Sequence, residues 1–125
     1  MAKRKETTFK MEKEFLSFLN DYNVIYLEIY KSKVRVAKYG DIENLPYKGL
    51  YQELIGDENK IQNLFMSIKN DMRFQTWRQG SLVAMAIRCQ TMWICMFYIN
   101  EKKGIEGMEV SQKIYDKVSE LDWCD

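Results

Sequence analysis

The stretch from Ser81 to Ile99, SLVAMAIRCQTMWICMFYI, is apolar almost throughout and is broken once by a short polar turn. Such a stretch reads as a β-hairpin, and a hairpin with one wet face would alternate apolar with polar residues. Here Trp93, Cys95, Phe97 and Ile99 face one way and Met92, Ile94, Met96 and Tyr98 the other, so both faces need cover. The flanking segments read as helices. The expected architecture is a sheet held between helical layers.

Before the hairpin, Met11, Phe15, Phe18, Leu19 and Tyr22 draw one apolar stripe along a helix over Thr8 to Asp21. Asn23 breaks it, and the β-branched and aromatic run Val24 to Lys31 predicts a strand. Its alternation sets Ile25, Leu27 and Ile29 on one face and Val24, Tyr26 and Tyr30 on the other. A turn near Ser32 leads to a second, more polar strand over Lys33 to Tyr39, whose charges suit an outer position. Tyr47, Leu50, Tyr51 and Leu54, following Pro46, suit one or two helical turns.

Asp57 is a good N-cap for a stronger helix whose apolar positions are Ile61, Leu64, Phe65, Ile68 and Met72. Phe74 to Arg78 is short and polar enough to be an edge strand, and Gly80 supplies the turn into the buried hairpin. The EKKGIEG stretch after Asn100 reads as a loop. A closing helix over Met108 to Leu121 buries Val110, Ile114, Val118 and Leu121, with Trp123 pinning the tail.

The order helix, strand, strand, helix, three strands, helix predicts an α+β sandwich with a five-stranded antiparallel sheet in the order 2-1-5-4-3. The two doubly apolar strands belong at its centre and the polar ones at its edges. The first and last helices share one face and the middle helix takes the other. No repeat or linker argues for a second domain, so residues 9–123 form one domain behind a disordered basic tail, 1–8.

Composition excludes several classes. Across 125 residues, 19 basic side chains balance 18 acidic ones, so nothing draws the chain strongly to nucleic acid. Lys3, Arg4, Lys5 and Lys10 form a short local excess that reads as a solvated tail. No run is long enough to span a bilayer or to act as a signal peptide, which places the protein in the cytoplasm with no membrane insertion. Cys89, Cys95 and Cys124 lack CxxC spacing and histidine is absent, so neither a metal site nor a disulfide framework is expected. Phosphate-cradling glycine motifs are missing as well.

Glu28, Asp41, Glu53 and Asp57 are scattered carboxylates without a base or nucleophile beside them, so neither a catalytic nor a cofactor-binding residue is assigned. Glu28, inside the first strand, is expected at the rim or against a cation such as Arg35. One helix cannot cover a face of five strands, so a second copy would complete the cover and the edge strand would pair with its own mate. The expected dimer interface is Ile61, Leu64, Phe65, Ile68, Met72, Phe74, Thr76, Trp77 and Arg78. The alternative is that the turns over Tyr47 to Leu54 fold over the gap and leave a monomer.

This arrangement, with the apolar 81–99 hairpin and the chain length, resembles the roadblock family of dynein light chain and bacterial gliding-regulator proteins over roughly Met11 to Leu121. The resemblance implies a homodimer built on the helix at Asp57 to Met72 and the strand at Phe74 to Arg78. It also implies a non-enzymatic platform or regulator for Ras-like small GTPases. Two other readings stay open: a profilin-like or PAS-like sensor of a small ligand, whose methionine-rich sheet lines a pocket, and an inhibitor or immunity-type binding protein.

Overall fold

The computed structural model describes residues 13–68, 74–89 and 92–120, apart from the side chain of Cys89. Five strands, β1 (Val24–Lys31), β2 (Val34–Gly40), β3 (Phe74–Gln79), β4 (Leu82–Cys89) and β5 (Met92–Ile99), form one sheet in the order β2-β1-β5-β4-β3. Every neighbouring pair is antiparallel. The sequence reading of order, direction and edge strands is what the sheet has. The first hairpin turns on only two residues, Ser32 and Lys33, with φ of 52° and 72°. That tight turn requires the left-handed region at both positions, where Asn-Gly is the usual choice.

The faces of β5 follow the alternation. Met92, Ile94, Met96 and Tyr98 enter one core while Trp93, Cys95 and Phe97 enter the other. In β1 the alternation is broken at the start, because the register against β5 shifts between Val24 and Tyr26. This bulge inserts Ile25, so Val24 joins the core of Leu27 and Ile29, and Ile25 packs with Tyr26 and Tyr30. The expected faces of Val24 and Ile25 are thereby exchanged.

Helix α1 (Lys13–Asp21) and helix α4 (Gly104–Glu120) share one face. Phe15, Phe18 and Leu19 from the first meet Ile114 and Val118 from the second over the sheet. The predicted residues Met11, Leu121 and Trp123 lie outside the described residues. Helix α4 starts at Gly104 rather than Met108, so the expected loop shrinks to 101–103. Two glycines made this stretch look unfit for a helix, yet packing overrides propensity here. A Cβ on Gly107 would sit 2.8 Å from the Lys102 carbonyl oxygen, so only glycine lets the first turn fold down onto the loop.

The opposite face carries two helices where one was expected: α2 (Gly49–Ile55) and α3 (Glu58–Met66). Between them the chain corners at Gly56, where any Cβ would lie 2.4 Å from the Gln52 carbonyl oxygen. Asp57 caps α3 by accepting the Lys60 amide at 2.9 Å, as its sequence position predicts. The helix stops at Met66, short of the predicted end at Met72. Its open carbonyls are closed by Arg88, whose guanidinium donates to Phe65 O at 3.2 Å and Ile68 O at 3.1 Å.

This second layer removes the reason for expecting bare apolar area. Tyr26, Leu82, Ala84, Ala86, Cys95 and Phe97 are fully buried, and Tyr30 and Trp93 nearly so, by the chain's own atoms. The turns over Tyr47 to Leu54 do fold over the gap, since Leu54 and Ile55 are buried in this core and Tyr51 packs against it.

Candidate functional site

The nine residues expected at an interface do not share one environment. Phe65 and Ile68 have no exposure and Leu64 only 7%, so their apolar surface is already used inside the fold. Ile61, Phe74 and Trp77 are half-buried, Thr76 and Arg78 are exposed, and Met72 lies outside the described residues. Phe74 turns toward α4, its ring 5.2 Å from that of Tyr115, while Trp77 packs on the α2 and α3 side. Arg78 is committed to its own chain: it donates to Gly80 O at 3.0 Å, Asn100 O at 2.9 Å and Lys102 O at 2.6 Å. What stays open toward a second molecule is the outer edge of β3 around Thr76, since β4 is its only sheet neighbour among the described residues.

A second constellation centres on Glu28. Alternation along β1 sets Tyr26, Glu28 and Tyr30 on one face, and Glu28 is 3% exposed between the two tyrosines. Both phenols donate to its carboxylate, Tyr26 to Oε2 and Tyr30 to Oε1. Arg35, opposite Tyr30 on β2, places a guanidinium nitrogen 3.5 Å from Oε2 with its side chain 52% exposed. The expected partner Arg35 is therefore present, but Glu28 is buried rather than at the rim. The sequence reading does not join the two tyrosines to Glu28, although spacing of two on either side of a strand carboxylate is the signal that points to such a pair.

The cluster opens into a cavity of about 370 Å³ between the end of the β1–β2 hairpin and the α2–α3 corner. Its walls include Tyr51, Ile55 and Ile61, and Lys33, Asp57 and Glu58 stand at its rim. Tyr51 is held by Tyr26, edge-to-face at 5.9 Å, and by Phe97 at 6.3 Å.

The electrostatics favour binding over proton transfer. Burial, then the hydrogen bond to Glu28 and its negative charge, push the phenols of Tyr26 and Tyr30 well above their ordinary value. Tyr51 moves the same way through burial and the Glu28 charge. The Cys95 thiol, fully buried beneath them, is also pushed up by burial and by Glu28, so near neutral pH it is a thiol and not a thiolate nucleophile. No group of three or more potential metal ligands occurs among the described residues. No helix among them is long and apolar enough to cross a membrane.

No protein-family model matches the chain, and no curated protein matches it in sequence. Solved structures do share its architecture. The crystal structure of MglC from Myxococcus xanthus is similar with a TM-score of 0.52 at 12% identity, over 85% of this chain and 94% of that one. Myxococcus xanthus MglB is similar with a TM-score of 0.53, also at 12% identity, over 96% of this chain and 91% of its own. The fold is roadblock-like. At 12% identity the likeness is one of fold, while most of the residues filling it differ.

Proposed function

We propose that this chain is a non-enzymatic regulatory or platform module for a Ras-like small GTPase in the cytoplasm, and that it acts as a homodimer. The observation that carries the reading is the likeness in fold to MglB and MglC, which extends over 96% and 85% of this chain. The dimer is built on the outer edge of β3, a row of backbone donors and acceptors with no strand beside it among the described residues. Antiparallel pairing about Thr76 would set Arg78 opposite Phe74 of the second copy, so like charges do not meet. The fully buried Phe65 and Ile68 serve this surface by fixing α3 and not by touching the second copy.

The test is calorimetric titration of the purified protein with Ras-like GTPases of the encoding organism, each loaded with GDP or a non-hydrolysable GTP analogue. Binding that prefers one nucleotide state, or a changed hydrolysis rate, supports the reading. Failure of every such GTPase to bind at about 100 µM in both states overturns it.

A further inference from the structure

The cavity at Glu28 is not needed for pairing along β3 and lies against the opposite edge of the sheet, beside β2. Its floor is a carboxylate that the fold has buried at a cost, because a charge removed from water must be matched by partners. The match is incomplete. An ionised carboxylate offers about four acceptor sites. Two are filled by neutral phenols, and the one cation paired with it among the described residues stands 3.5 Å away, longer than a charge-assisted hydrogen bond of about 2.7–2.9 Å. Arg35 itself is half in solvent on an edge strand, and Glu28 is its one ion-pair partner among the described residues.

Glu28 and Arg35 thus present an acceptor and a donor fork side by side in a half-open cavity, the carboxylate at its floor and the guanidinium reaching solvent. That pair of charges, in that adjacency, complements the ammonium and carboxylate of an α-amino acid. The remaining walls, Tyr51, Ile55 and Ile61, are aromatic and aliphatic and would take an apolar side chain. The volume of about 370 Å³ falls at the small end of ligand pockets, which suits a molecule of this size.

We infer that the Glu28–Arg35 cavity binds a free α-amino acid with an apolar side chain, the ammonium at Glu28 and Tyr30 and the carboxylate at Arg35. Arg35 swings outward from Oε2 to receive the carboxylate, and the ligand ammonium takes the acceptor site left free. Binding ties the β1–β2 hairpin to the α2–α3 corner, which makes this a sensory site separate from the β3 edge. The inference does not rest on the GTPase reading, and either can fail alone.

The experiment is isothermal titration of the full chain with leucine, isoleucine, methionine and phenylalanine, each also as its N-acetyl and its carboxamide derivative. Expected is saturable binding of at least one free amino acid, with both blocked forms weaker by about tenfold or more. Arg35→Met should weaken binding by about tenfold, measured at a temperature where its melting curve shows the unliganded variant folded, because losing the cation beside a buried carboxylate also lowers stability. No binding of any free amino acid at about 10 mM, equal binding of the blocked forms, or unchanged affinity in Arg35→Met would each overturn the assignment.

Discussion

The rings of Phe65 on α3 and Trp93 on β5 stack with centroids 4.9 Å apart and planes 12° apart. This contact pins the second helical layer to the centre of the sheet, and it accounts for Phe65 being wholly buried although its helical stripe suggested an interface. Phe65→Ala should cost about 3–5 kcal/mol, read from urea unfolding, because it opens a cavity under α3. Its neighbour Met66 is 58% exposed, and Met66→Ala should change stability by no more than about 0.5 kcal/mol.

The tyrosine pair around Glu28 behaves as a unit. Tyr30→Phe withdraws one donor from a buried carboxylate and should destabilise the fold by about 1–3 kcal/mol. Adding Glu28→Gln to Tyr30→Phe should cost less than the sum of the two single changes, since the amide no longer buries a charge. A double-mutant cycle by urea unfolding measures this coupling, and strict additivity would contradict it.

Stability should fall on the alkaline side. The folded-state values of Tyr26 and Tyr30 are raised above the ordinary 10.0 and that of Cys95 above 9.0. Groups raised on folding contribute stability that is fully present below those ordinary values and is lost as pH climbs past them, because the unfolded chain releases the protons first. Melting temperature followed from about pH 8 to 12 should decline, and Tyr26→Phe with Tyr30→Phe should flatten the decline relative to its own value at pH 8.

Arg78 is a clamp. Its three hydrogen bonds tie the end of β3 and the Gly80 turn to the segment that leads into α4. Arg78→Ala should cost about 1.5–3 kcal/mol and speed amide exchange over 100–103. Arg78→Lys should recover only a small part of this, because an ammonium cannot reproduce the planar fork.

Much of the sheet was legible because period-two patterns survive folding: the double-faced apolar strands at Val24 and Met92 could only be central, and Lys33 to Tyr39 could only be an edge. Two features were hidden for separate physical reasons, and a third was legible only as an alternative. The exchange of Val24 and Ile25 comes from a bulge, which is a property of pairing with β5 and leaves no trace in β1 alone. The start of α4 at Gly104 depends on a close approach to Lys102 that only the folded chain creates. The coverage by α2 turns on Gly56, whose role is steric and not conformational. At the candidate site, Arg35 was readable as the partner of Glu28, whereas burial of that carboxylate depends on the helices above it.

Sedimentation velocity of the purified chain over about 1–100 µM tests the proposed assembly most directly. The account predicts a species of twice the 15.0 kDa chain mass that gives way to the single chain on dilution. A single 15.0 kDa species at every concentration would contradict it.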